Sequence, residues 1–172
     1  MTRFFIIAFL ATASGSAAGL DLQAPSRPIA IQPGQWEIAT EINTVEAPGA
    51  PEAFLQSMRS SLVNQRQTRS QCITPEQARD PTRNLMGNED PARCDFGETV
   101  WTGGDIRVRG TCRPPESSAI QVSVEGTYSA QRFDARLSMN MELPGSGEAG
   151  MVQQVHLQGR FTGRRTGDCR SQ

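Results

Sequence analysis

Four cysteines and one histidine are the side chains of this chain best suited to metal or redox chemistry. Cys72, Cys94, Cys112 and Cys169 contain no Cys-x-x-Cys pair, the spacing that redox exchange or a zinc knuckle requires. His156 is the only histidine, so a metal would have to rest on the cysteines themselves, and neither a metal nor a cofactor is assigned. An even count in an exported chain reads as two structural disulfides. Three connectivities are open. Cys72 with Cys94, and Cys112 with Cys169, is the preferred arrangement, because it ties a short helix to the sheet and the last strand to a hairpin. The rival pairs Cys94 with Cys112 across the hairpin and Cys72 with Cys169.

No other group reaches the threshold of a catalytic site. His156 falls among the polar positions of a strand and reads as a solvated histidine. No Gly-x-Ser-x-Gly elbow accompanies it, so a hydrolase has no anchor. Glu98 lies on the otherwise apolar face of its strand, a placement open to a glycosidase carboxylate, but a strand end reaching solvent or a pairing with an arginine explains it as well. Arg107 with Arg109, and Arg164 with Arg165, have the chemistry to grip a phosphate or carboxylate; such pairs are more often a solvated strand face. Trp36 and Trp101 read as core or rim aromatics, with ligand stacking as the alternative. Every basic residue is arginine, which excludes a P-loop lysine, a Schiff base and a Ser-x-x-Lys nucleophile. No catalytic residue is assigned.

The chain begins with a positive charge at Arg3, an apolar run from Phe4 to Leu10 and small residues at Ser16 and Ala18. This is the pattern of a secretory signal cleaved after Ala18, and the run is well short of the roughly 20 apolar residues a spanning helix needs. No transmembrane segment is expected in the mature chain. Without Arg3 the balance is 16 basic against 18 acidic residues, too even and too dispersed for a nucleic-acid surface. Hydrophobic residues make up 37% of the chain, so the core is modest and crosslinks add usefully to it. Residues 1–18 are the expected signal, 19–33 an extended lead-in and 34–172 one disulfide-stapled domain.

From Gly34 onward the hydropathy alternates. Trp36, Ile38, Thr40 and Ile42 mark a first strand with one buried face. Phe54, Leu55, Met58, Leu62 and Val63 then fall on one helical stripe. Arg66 to Gln71 is polar throughout and reads as an exposed connector or an edge strand. Thr74-Pro75-Glu76-Gln77 starts a short second helix, with a hydroxyl cap, proline at the first helical position and glutamine three residues on. Five alternating strands follow, and Gly103-Gly104 turns the first of them into the second, since both central residues of the favoured hairpin turn need positive φ. Pro144 to Gly150 reads as a flexible tip. The expected fold is α+β and strand-dominated: an antiparallel meander of five to six strands, curved or half-barrel, packed on one amphipathic helix plus a short second one.

Three local patterns stand together: Gly34-Gln35-Trp36-Glu37, Cys72-Ile73-Thr74-Pro75-Glu76, and Gly163-Arg164-Arg165-Thr166-Gly167-Asp168-Cys169. With Cys94 and Cys112 between them, the chain resembles a family of small proteobacterial exported proteins known as the domain of unknown function numbered thirty-six seventeen. The resemblance implies a periplasmic address, a Gram-negative source and four structural cysteines, and it transfers no catalytic residue. From the residues themselves, a curved sheet with one apolar face suggests a non-enzymatic binding module. Its partner would be an apolar small molecule, a lipid or an envelope protein, with Phe54, Met58, Trp101, Met139 and Met141 facing the ligand. A structural or stress-related envelope protein without a ligand is the alternative, and a hydrolase is a more distant one. Export should remove the segment ending near Ala18; intact mass of protein recovered from the periplasm checks this, and a species that still starts at Met1 would end the secretion argument.

Overall fold

The computed structural model describes residues 30–86, 94–115, 118–144 and 152–169. The expected signal, most of the lead-in and residues 145–150 of the expected tip lie outside these segments. Seven strands form one antiparallel sheet: β1 (Gly34–Glu46), β2 (Arg66–Ile73), β3 (Cys94–Thr102), β4 (Asp105–Cys112), β5 (Ile120–Ser129), β6 (Arg132–Pro144) and β7 (Val152–Gly167). Their order is β2-β1-β7-β6-β5-β4-β3. From β3 to β7 the chain is a meander, and the last strand then lands beside the first. The polar segment before Cys72 belongs to β2, an edge strand paired with β1 from Gly34↔Ile73 to Glu41↔Arg66.

Alternation explains the layering. Along the registers, Ile38, Gly163, Phe133 and Tyr128 occupy one face, as do Thr40, Phe161, Ala135, Gly126 and Ile106. This face holds the core, with Trp36, Ile38, Ile106, Val108, Val124, Val155 and Phe161 buried. The opposite face carries most of the charges, among them Glu37, Arg109, Glu125, Asp134 and Arg160. Curvature comes from irregularities in β1, at Gln35/Trp36 and at Ile42/Thr44, and from glycines under aromatic rings. A Cβ on Gly163 would come within 2.0 Å of the Phe133 ring, so only glycine lets that ring lie flat across β7. The sheet is open and curved, with edges at β2 and β3.

α1 (Glu52–Leu62) follows β1. Phe54, Leu55, Met58 and Leu62 pack on the core cluster but remain half-buried, and no residue of the helix is fully buried. The helix is therefore a flank on the core and not its floor. The expected second helix is a single 3₁₀ turn, Gln77–Arg79. Its capping box is formed: the Thr74 hydroxyl accepts from the Gln77 amide at 3.2 Å while the Gln77 side chain accepts from the Thr74 amide at 2.9 Å. A wider turn, Thr82–Met86, comes next and buries Thr82 and Leu85. The lead-in also belongs partly to the fold, since Ile31 is buried and the Gln32 amide donates to the Ala130 carbonyl at 2.8 Å.

The cysteines pair as Cys72–Cys169 and Cys94–Cys112, and none of the four is free. The arrangement preferred from sequence, Cys72 with Cys94 and Cys112 with Cys169, is thus corrected to its rival. The cause is one residue. Gly103 and Gly104, both at positive φ, make a two-residue turn between Thr102 and Asp105. With strict pairing from there Cys94 would meet Arg113, but β3 has a bulge between Phe96 and Glu98 that absorbs Gly97 and brings Cys94 opposite Cys112. The same bulge turns Glu98 to the outer face, where it pairs with Arg109. Peptide mapping without reduction should recover these two crosslinks and no free thiol. Replacing both cysteines of Cys72–Cys169, 97 residues apart, should cost more than replacing Cys94–Cys112, 18 apart; chain entropy gives about 4.7 against about 3 kcal/mol, read from urea unfolding. Equal losses would show that loop closure is not what these bridges supply.

Candidate functional site

The inner rows of the sheet meet around a cavity of about 230 Å³. Each of the seven strands contributes to its wall: Thr40, Arg69, Phe96, Cys112, Val124, Met139 and Phe161 come from β1 to β7 by way of β2, β3, β4, β5 and β6. Gln67 and Arg69 lie on one edge strand, and Cys94 and Phe96 on the other. Both edges of an open sheet thus line one space, which only strong curvature permits. Val122, Leu137 and the Cys94–Cys112 bridge complete a mixed lining, apolar on one side and polar at Thr40, Gln67 and Arg69.

Beside the cavity lies an aromatic cluster. Phe133 contacts Trp36, Trp101 and Phe161 at centroid separations of 6.1, 6.2 and 4.8 Å, and Trp101 meets Tyr128 edge-on at 5.0 Å. The indole N–H groups are engaged: Trp36 Nε1 donates to the Gln32 carbonyl at 3.0 Å and Trp101 Nε1 to the Thr82 hydroxyl at 2.9 Å. Burial pushes the Tyr128 phenol above its ordinary pKa, with the Asp105 charge adding to it.

Of the residues expected to face a ligand, Met139 lines the cavity. Trp101 is half-buried in the aromatic cluster, and Phe54 and Met58 sit on the helix flank. Met141 borders an outer groove together with His156. Sequence reading missed Phe96, Leu137 and Phe161, which alternation marks as core without marking as cavity wall. It also missed Arg69. The row Gln67, Arg69, Gln71 differs little in polarity from Thr68 and Ser70, so nothing in β2 announces which side turns inward.

Of the remaining candidates, Glu98, Arg109, His156 and Arg164 are outer-face groups held by neighbouring polar side chains. Arg109 bridges Glu125 at 3.0 Å and Glu98 at 3.6 Å. His156 Nδ1 meets the Asn140 side-chain oxygen, and its Nε2 meets the Gln158 amide nitrogen at 2.8 Å. Arg164 and Arg165 point to opposite faces and form no joint grip: Arg164 bonds Glu37 at 2.9 Å, while Arg165 is turned inward, donates to the Pro33 carbonyl at 2.7 Å and pairs with Asp168. Two grooves of about 510 and 490 Å³ run over this face and share Thr111, Gln121 and Asn140. They are larger than the inner cavity, and Glu98, Arg109, Gln121, Asn140 and His156 stand in their walls. Among the described residues no group of three metal-binding side chains stands together, and no helix is long and apolar enough to cross a membrane.

The three sequence patterns converge at one corner. Gly34 lies opposite Ile73, and Gln35 lies opposite both Cys72 and Gly167. A Cβ on Gly34 would come within 2.5 Å of the Arg165 Nε, so the glycine makes room for that guanidinium. The patterns therefore build a clasp that holds the first strand between the second and the last.

The ion pairs set an acid limit on stability. The bond from Arg164 holds Glu37 below the usual carboxylate range, and that from Arg160 does the same for Asp134. A carboxyl depressed in the folded state stabilises above its unfolded pKa, and that contribution is lost as pH falls through the folded value. Asp134→Asn should therefore lower the urea midpoint at about pH 7, and the deficit should shrink as the pH falls below the usual carboxylate range. A deficit that persists in acid would assign the loss to packing.

Residues 31–169 match a family described as "Protein of unknown function (DUF3617)". That span covers most of the chain, and the chain belongs to this family. No curated protein and no solved structure matches it.

Proposed function

We propose that this family member is a non-catalytic binding module of the periplasm that holds a small apolar ligand in the hollow of its curved sheet. The observation that carries this reading is the cavity to which all seven strands contribute, with Phe96, Val122, Leu137, Phe161 and the adaptable Met139 in its wall. Its volume, about 230 Å³, is below the usual range for drug-sized ligands, roughly 300–1,000 Å³, and suits a smaller molecule. The groups that a hydrolase would need lie elsewhere: His156 and Glu98 are on the outer face, each held by neighbouring polar side chains. Two disulfides are compatible with an oxidising compartment, and the N-terminal pattern supplies the route to it.

Native mass spectrometry of protein taken directly from a periplasmic extract, followed by organic extraction, tests the reading. A reproducible adduct of small apolar mass is expected on the wild type. Met139→Trp should remove it by filling the space while the circular dichroism stays strand-rich. Wild-type protein that is uniformly free of adducts, or an adduct indifferent to Met139→Trp, would overturn the proposal and favour an envelope role without a ligand.

A further inference from the structure

We infer that the two grooves on the outer face form one site for a neutral oligosaccharide, recognised through the uncharged row of Thr111, Gln121, Asn140 and His156. It is a second site, independent of the cavity. The row follows from register: Thr111 lies opposite Gln121, Gln121 opposite Asn140 and Asn140 opposite His156, so β4 to β7 each place one hydrogen-bonding side chain in a line. At about 4.8 Å between neighbouring strands, that line is about 14 Å long. The next row sets Ser123 opposite Ser138, two small hydroxyls standing between the longer Arg109 and Gln158. They lower the floor there, and Ser123 is in the wall of the first groove. Nearer the Gly103-Gly104 turn the same face is charged, with Arg107, Glu125, Arg136 and Arg160 in one row. The neutral groups are therefore segregated, and the grooves lie over them. Both walls share Thr111, Gln121 and Asn140, which joins the two grooves into one track.

Side-chain amides and hydroxyls each donate and accept, as sugar hydroxyls do. One stretch of the row is held in place. The Gln158 amide donates to His156 Nε2, so the ring donates from Nδ1, and its acceptor is the Asn140 side-chain oxygen. With that oxygen engaged, the NH2 group is what Asn140 offers to the grooves it lines. Charge decides the ligand class. The walls contain Asp95, Glu98 and Glu142 against Arg109, and Arg109 already bridges Glu98 and Glu125. A phosphate or carboxylate would meet a surplus of like charge, whereas these carboxylates accept well from hydroxyls. A cation would use the carboxylates and leave the neutral row without a part. Size fits short oligomers. A cavity of about 150 Å³ accommodates benzene, and by that scale each groove, of about 510 and 490 Å³, takes about twenty non-hydrogen atoms, roughly two hexose residues. No aromatic ring stands in either wall among the described residues, so affinity rests on hydrogen bonds and is expected near about 1 mM.

The test follows the mature protein by proton–nitrogen correlation NMR, which reports Asn and Gln side-chain amides as well as the backbone. Maltotetraose, cellotetraose and chitotetraose serve as neutral probes, with tetragalacturonate as the anionic and fully deacetylated chitosan tetramer as the cationic counterpart, all at matched ionic strength. At least one neutral tetramer should give saturable shifts at Thr111 and at the side-chain amides of Gln121 and Asn140, and should bind about fivefold or more tighter than either charged tetramer. Asn140→Asp keeps the acceptor for His156 and loses the outward donor; it should weaken binding about two- to tenfold, the ratio for one neutral hydrogen bond, and Gln121→Ala should do the same. Arg136→Ala in the charged row, and Met139→Trp in the inner cavity, should leave the affinity unchanged. The assignment is overturned if no neutral tetramer moves these signals, if a charged tetramer binds as well, or if either Asn140→Asp or Gln121→Ala is without effect in a well-dispersed spectrum. Binding lost in Met139→Trp would move the sugar to the inner cavity and overturn it too.

Discussion

The pairing of the first strand with the last is the constraint on which the rest of the sheet depends. β1 takes β7 on one side and β2 on the other, so without that pairing β2 would be cut off from the five-stranded meander. Several independent contacts secure it: the Glu37–Arg164 ion pair, the inward Arg165 against Gly34 and Pro33, Trp36 buried beneath the pair, and the Cys72–Cys169 bridge reaching over from β2. The exposed ion pair contributes little alone, and the bridge and the buried indole carry more of the load. Together they fix register where a slip of one residue would turn the whole inner row outward.

Curvature follows from this arrangement and creates the internal space. A flat seven-stranded sheet would keep β2 and β3 far apart, whereas here residues of both edges line one cavity. Bulges in β1 and β3 and rings folded over glycine provide the bend. The outer face answers with exposed ion pairs such as Arg160 with Asp134 and Arg109 with Glu125.

Much of the fold was legible because hydropathy alternates cleanly in β1, β4, β5, β6 and β7. The hairpin turn was legible too, because Gly103-Gly104 leaves few alternatives. What could not be read was the exact phase of β3. Gly97 looks like any glycine in an alternating run, yet as a bulge residue it decides both the cysteine pairing and the side on which Glu98 emerges. Position β2 was ambiguous for another reason: its residues are almost uniformly polar, so hydropathy carries no information about its faces, and Arg69 went unmarked. The helix stripe was correct in phase, but periodicity says which side faces inward and not how deeply it sinks. The cavity was beyond reach because it arises from side chains on seven strands whose spacing depends on curvature.

The strand order also shapes how the chain acquires its structure. β1 and β2 can form a hairpin early, bridged by α1, but the hairpin cannot join the other five strands until β7 exists, and β7 ends 94 residues after Ile73. At synthesis rates of 5–20 residues per second, that delay is on the order of ten seconds. During it the inner row of Trp36, Ile38 and Ile42 has no sheet to cover it. The final docking step is a long-range closure of the kind that slows folding, and the early hairpin is the species a chaperone would meet.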